Sequence, residues 1–217
     1  PPQRTRKFGF HRQVPLILNA FCGQGLVASG IAHGGHMKDT SQMLKFASNL
    51  TMMFNEVPFL DRFDAARDAG FNGVEFLFPY DFPAHDVGQR VRDNGLTQAL
   101  FNLPPGDWKA GERGLGALPG REDEFKASVE KALTYAEVTG CKTLHAMAGI
   151  VVSNANTEQM FETFVENLIA AADLCADAGI TIVLEALNSQ DAPGYFLPHV
   201  SDAARVAQAV GMPNIGL

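Results

Sequence analysis

From Met43 onward, short apolar runs alternate with stretches of helical periodicity, and the joints between them share one form: a helix ends at glycine and an apolar strand follows. The joints are Asp68-Ala69-Gly70-Phe71, Asp93-Asn94-Gly95-Leu96, Val138-Thr139-Gly140-Cys141, Asp177-Ala178-Gly179-Ile180 and Ala209-Val210-Gly211-Met212. Glycine suits the residue just past a helix because it adopts positive φ without steric cost. The pattern predicts strands over 44–50, 73–78, 97–103, 142–147, 181–187 and from 214 onward. Between them, apolar stripes at i, i+3/i+4, i+7 spacing predict helical core faces. Phe59, Phe63 and Ala66 make the first. Phe125, Val129, Ala132 and Ala136 lie on the third, and Phe161, Phe164, Val165, Leu168 and Cys175 on the fourth. Pro58 suits a first helical turn, with Asn55 as its candidate N-cap.

Repeated βα units imply a parallel sheet with right-handed crossovers, either doubly wound or closed into a (β/α)8 barrel. A dinucleotide-binding sheet needs a glycine-rich turn after its first strand. Asn49-Leu50-Thr51-Met52-Met53-Phe54 stands there instead, without glycine, so the barrel is favoured. Six units fit in residues 43–217. A whole barrel needs about 250 residues, so two further units are expected beyond Leu217, and the chain reads as a fragment. Residues 1–42 read as an N-terminal extension outside the barrel. Their basic stretch, 4–12, and moderately apolar stretch, 14–32, suggest a signal or membrane segment, but Asn19, Gln24 and three glycines weaken that reading.

Of 217 residues, 46% are hydrophobic and 19% charged, which fits a globular core and excludes a disordered chain. Sixteen Phe against three Tyr and one Trp favour core packing over base stacking. The net charge of −7 conceals a basic N-terminal segment and a body, 43–217, at −11. That balance argues against a nucleic-acid partner. Three cysteines at irregular spacing offer neither a disulfide framework nor a Cys-x-x-Cys metal site, and a reducing cytoplasm is the expected location. No membrane partner is expected, and homo-oligomerisation stays open.

In a barrel, chemistry gathers at the C-terminal strand ends. The polar residues there are Asn49, Glu75, Asn102, His145, Glu185 and Asn188. Glu185, in Thr181-Ile182-Val183-Leu184-Glu185-Ala186-Leu187-Asn188, is a carboxylate in an apolar strand, and burying it requires a cation, a donor or a metal. A structural ion pair is the plainer alternative. Glu75 raises the same question, with loop orientation or a Lys or Arg partner as its alternatives. His145 suits polarising a substrate oxygen, ligating metal, or filling the core as a satisfied histidine. Trp108 lies in a long glycine-studded loop, 102–120, of the kind that covers a site. The absence of Gly-x-x-x-x-Gly-Lys-Ser/Thr, Gly-x-Ser-x-Gly and His-Glu-x-x-His leaves carboxylate chemistry.

The segments Asn49-Leu50-Thr51-Met52-Met53-Phe54, Asn102-Leu103-Pro104-Pro105-Gly106-Asp107-Trp108, Leu184-Glu185-Ala186-Leu187-Asn188 and Asp191-Ala192-Pro193-Gly194-Tyr195-Phe196-Leu197 resemble the hydroxypyruvate isomerase family, within the xylose isomerase-like TIM barrels. The resemblance covers 43–217. It implies interconversion of hydroxypyruvate and tartronate semialdehyde through an ene-diol, or the equivalent step on a 2-oxo-tetronate or a sugar. It also implies a divalent metal, Mg²⁺ or Mn²⁺, with Glu185 as ligand or acid–base group and further ligands beyond Leu217. His145, Asn188, Trp108, Asn102 and Asp191 form the expected substrate-binding set. Gln190 departs from the family pattern, which commonly has Arg there, and a cation that would favour a carboxylate-bearing substrate is lost. Two alternatives remain: an apurinic endonuclease, whose histidine-rich strand ends are missing, and a non-catalytic carbohydrate-binding barrel.

Overall fold

The computed structural model describes residues 44–152 and 154–217. The expected extension over 1–42, with its signal or membrane reading, lies outside the described residues. Six parallel strands form one sheet: β1 (Ala47–Asn49), β2 (Gly73–Phe76), β3 (Thr97–Asn102), β4 (Thr143–His145), β5 (Thr181–Val183) and β6 (Ile215–Gly216). Each strand pairs with its predecessor in the chain. Five helices connect them: α1 (Arg62–Asp68), α2 (Ala84–Asp93), α3 (Glu122–Thr139), α4 (Thr157–Ala176) and α5 (Val200–Val210). Sequential parallel pairing with a helix in every crossover is the layout of a (β/α)8 barrel's first six units. None of the described helices is long and apolar enough to cross a membrane.

The five glycine joints behave as the sequence requires. Gly70, Gly95, Gly140, Gly179 and Gly211 all have positive φ, between 62° and 89°. The stripe on α3 is buried in full, with Phe125, Val129, Ala132 and Ala136 all in the core. On α4 the buried face is rotated from the expected one. Phe164, Leu168 and Cys175 are buried, but Phe161 and Val165 lie at its margin while Met160, Ala171 and Ala172 share the interior. Asn156 caps α4, accepting from the Glu158 and Gln159 amides.

The first helix starts later than its pattern suggested. Phe59–Asp61 is a 3-10 turn preceded by Pro58, and α1 begins at Arg62. Asn55 donates to the Met52 carbonyl and so closes a turn rather than capping a helix. Phe59 stacks on Phe82, with centroids 5.0 Å apart, and meets Phe63 and Phe76 edge-on. The strands are also shorter than expected. Leu44, Lys45 and Phe46 are exposed ahead of β1, and β5 ends at Val183, level with His145, the last residue of its neighbour β4.

Strand alternation sorts the side chains between two faces. Val74, Phe76, Phe101, Leu144 and Ile182 are buried towards the helices, and each fully buried large apolar side chain contributes about 1.5–3 kcal/mol. The intervening positions, Asn49, Glu75, Asn102, His145 and Val183, therefore face the barrel interior. A bulge makes Ala99 an extra residue: Gln98 lies opposite Val74, yet Glu75 lies opposite Leu100. The Gln98 side-chain amide donates to the Leu100 carbonyl across this irregularity, 2.8 Å away.

Candidate active site

Register brings the interior polar residues together at one end of the sheet. Asn49 lies opposite Glu75, and Asn102 opposite His145, whose other neighbour is Val183. Glu185 follows two residues after Val183, just beyond the strand and not inside it as its sequence suggested. Its side chain retains 46% exposure. The carboxylate thus sits at the barrel mouth, where desolvation is partial.

Desolvation raises the Glu185 pKa, and the Glu75 charge raises it further. Burial likewise raises Glu75, partly offset by the Asn49 amide, which donates to its Oε1 at 3.1 Å. Asn49 also accepts from the Thr51 amide, which fixes its rotamer. Two carboxylates from β2 and the end of β5 therefore share one electrostatic neighbourhood, each biased towards holding a proton.

His145 lies beneath them with only 2% of its side chain exposed, and burial pulls its pKa down to about 4. The ring is neutral near pH 7. Its Nδ1 faces two oxygens, Asn102 Oδ1 at 3.3 Å and Glu185 Oε2 at 3.6 Å, so the proton belongs on Nδ1. Among the described residues, Nε2 is then a buried acceptor without a partner. His145 is accordingly no ordinary satisfied core histidine. Asn102 is buried too, and its amide donates towards Met147 Sδ at 3.6 Å.

The desolvated imidazole sets a pH dependence of stability. Between the unfolded value of 6.5 and the folded value of about 4, the unfolded chain binds a proton that the folded one refuses. Stability is therefore lost on acidification through this window, by about 3 kcal/mol at its lower end. Glu75 and Glu185, raised in the fold, act in the opposite sense above their ordinary range. His145→Asn is expected to flatten the unfolding free energy between pH 6.5 and 4. Equal slopes in wild type and variant would show that His145 is not the group responsible.

The long loop expected over 102–120 runs from 103 to 121, between β3 and α3. Glu112 ties it down, accepting from the Asp107 amide and from Arg121, which also grips Glu124 through two bonds of 2.7 Å. The Arg121 guanidinium is the main cause of the lowered Glu112 pKa. Trp108, 39% exposed, meets Phe78 edge-on at 5.0 Å, and the Arg113 guanidinium lies 3.7 Å from its ring centroid. Gly114 bridges to Ala148, which joins this loop to the segment after β4.

Asn188 and Asp191 are placed differently. Asn188 donates to Asp191 at 2.6 Å and accepts from the Gln190 and Asp191 amides, so the two residues are engaged in shaping the loop after β5. The buried Tyr195 hydroxyl anchors that loop by accepting from the Ala148 amide at 2.9 Å. Of the expected set, then, Glu185, His145 and Asn102 are in contact, Trp108 stands on the covering loop, and Asn188 and Asp191 bond to each other. Met147 and Tyr195, apolar positions by pattern, gave no polar signal in the sequence.

The described residues hold no group of three His, Cys, Asp or Glu able to enclose a metal. Glu185 alone, a half-exposed oxygen donor beside a second carboxylate, suits one ligand of a hard cation rather than a complete shell.

The family model of the xylose isomerase-like TIM barrel matches residues 63–217. The chain belongs to this family. Among curated relatives, 2-oxo-tetronate isomerase of Cupriavidus necator is 49% identical over 173 residues, covering 80% of this chain and 66% of the relative. Hydroxypyruvate isomerase of Escherichia coli is 40% identical, covering 80% and 67%. The crystal structure of a protein described as AP endonuclease, family 2, from Brucella melitensis is 51% identical with a TM-score of 0.78, covering 80% of this chain and 67% of that one. The chain spans about two thirds of the length of the curated relatives it matches.

Proposed function

We propose that the full-length protein is an isomerase of small hydroxy-keto-acids, interconverting hydroxypyruvate and tartronate semialdehyde, with 2-oxo-tetronate as the nearest alternative substrate. The observation that carries this reading is the pair Glu75 and Glu185 at the barrel mouth, both raised towards neutrality, with Glu185 beside the neutral His145. Aldose–ketose isomerisation needs a group that takes a proton from the carbon next to a carbonyl and returns it to the adjacent carbon. A carboxylate with a raised pKa is poised for both halves of that transfer. The isomerase relatives support the same class.

In this mechanism Glu185 moves the proton. The Glu75 charge keeps it basic enough to accept one, and Asn49 holds Glu75 in place. His145 keeps its Nδ1 hydrogen towards Asn102 and Glu185, orienting the carboxylate without neutralising it. Trp108 and its loop exclude water from the ene-diol. Glu185 would also hold a divalent Mg²⁺ or Mn²⁺, which when bound stabilises negative charge on the substrate oxygens.

The test follows hydroxypyruvate and 2-oxo-tetronate by NMR in D₂O, with Mg²⁺ or Mn²⁺ and again after chelation. Metal-dependent conversion with solvent deuterium entering the product is expected. If neither compound is converted nor exchanged, the keto-acid assignment is wrong. The description of the Brucella protein keeps a second reading in view, metal-dependent cleavage at abasic sites in DNA. The −11 charge of residues 43–217 disfavours it. Cleavage of an abasic duplex at rates exceeding keto-acid turnover would establish that activity instead.

A further inference from the structure

A keto-acid substrate brings its own negative charge to a mouth already lined by Glu75 and Glu185, so binding it requires a cation. The loops following β1 to β5, residues 50–58, 77–83, 103–121, 146–156 and 184–199, contain only three Lys or Arg: Lys109, Arg113 and Arg121. Arg62, at the start of α1, is committed to the Leu50 and Val57 carbonyls. Arg121 is committed to Glu112 and Glu124. Lys109 is exposed. The loop after β5 offers no cation, and Gln190 stands where one was expected.

We infer that Arg113, placed over the Trp108 ring, is the residue that receives the substrate carboxylate. This inference rests on the keto-acid reading. Arg113 is half-buried and has no ion pair among the described residues. Its neighbour Glu112, the nearest carboxylate in sequence, is drawn away by Arg121 and the Asp107 amide. One guanidinium nitrogen, Nη1, donates to the Glu112 carbonyl at 2.7 Å and the Trp108 carbonyl at 3.3 Å, which fixes the plane of the group. Its Nε and Nη2 hydrogens have no protein acceptor among the described residues. A fixed guanidinium edge matches the two oxygens of a carboxylate, and stacking on the indole spares it the entropy cost of ordering a free Arg. The aromatic base is itself supported by Phe78, two residues past the end of β2. Gly114, bonded to the Pro105 carbonyl and bridged to Ala148, ties Arg113 to the segment that follows the strand carrying His145.

The test uses the full-length protein, with glycerate as an unreactive hydroxy-carboxylate and glycerol as its uncharged counterpart. Calorimetry is run on wild type, Arg113→Met and Arg113→Lys. Glycerate binding is expected to weaken on the order of 10- to 100-fold in Arg113→Met and to recover in part in Arg113→Lys, while the weak binding of glycerol is unchanged. Trp108 is the sole tryptophan, so its fluorescence should respond to glycerate in the wild type and not in Arg113→Met. In turnover, KM for hydroxypyruvate should rise by a similar factor with a smaller change in kcat, and dihydroxyacetone, which lacks the carboxylate, should be unaffected. Glycerate binding that is equal in wild type and Arg113→Met would overturn the assignment. A wild type that binds glycerate through Arg113 yet isomerises no keto-acid would retain the anion site and reject the isomerase reading.

Discussion

Glu185→Gln is expected to lower turnover of the full-length protein by roughly 10³-fold or more while making the fold slightly more stable. The two effects share one cause. Glutamine keeps the shape of the side chain and an oxygen to face His145 Nδ1, so packing is undisturbed. What it removes is a charge that the fold disfavours: desolvation and the Glu75 carboxylate both raise the Glu185 pKa, which means the ionised form is costly at neutral pH. The same charge is the proton acceptor in the proposed reaction. Steady-state kinetics and denaturant unfolding of one purified variant check both effects. Turnover like that of the wild type would remove Glu185 from the mechanism. A loss of activity accompanied by a loss of stability would assign it to the architecture.

Gly114→Ala should be among the most damaging single substitutions outside the core. Gly114 has φ of +112°, and an added Cβ would lie 2.2 Å from the Met147 carbonyl oxygen and 2.4 Å from its carbon. Those are backbone atoms, held by the Gly116 amide and the Ala148 bridge, and cannot step aside. Strained backbone and overpacking together are expected to cost about 3 kcal/mol or more. Gly111→Ala is the matched control, because Gly111 also has positive φ, +98°, with open space where the Cβ would go. It should lose only the conformational part, about 1 kcal/mol. Equal midpoint shifts for the two variants in chemical denaturation would show that the loop can withdraw from the segment after β4, and the crowding argument would fail.

Much of the fold was legible because its signals are local. The glycine joints follow from the φ requirement at a helix end, and the α3 stripe follows from a single face packed against the sheet. The misreadings arose where neighbours decide. β5 looks apolar as far as Leu187, yet a strand lasts only as long as its partner, and its ladder with β4 closes where Val183 lies opposite His145. Phe59 has helical spacing relative to Phe63, but its stacking on Phe82 settles it on a 3-10 turn. The site divides in the same way. Glu185 and His145 stand out in sequence as polar residues at strand ends. The Glu75–Asn49 pair becomes central only once register places Asn49 opposite Glu75. Nothing in the sequence ties Glu112 to Arg121 and so leaves Arg113 as the uncommitted cation; that distinction exists only in three dimensions. Asn188 and Asp191 were grouped with the site by motif, whereas their hydrogen bonds are spent on each other.

The order of the sheet is also the order of synthesis. Since every strand from β2 to β6 pairs with the one made just before it, each new βα unit leaving the ribosome meets an edge already in place. None of these strands has to wait for a later one to arrive between it and its predecessor. The separations that must be closed stay at about one unit, which favours rapid, stepwise growth from the N-terminal side. The carboxylate pair does not share this economy. Glu75 is laid down early and Glu185 more than a hundred residues later, so their mutual repulsion arises only when a largely built scaffold can bear it.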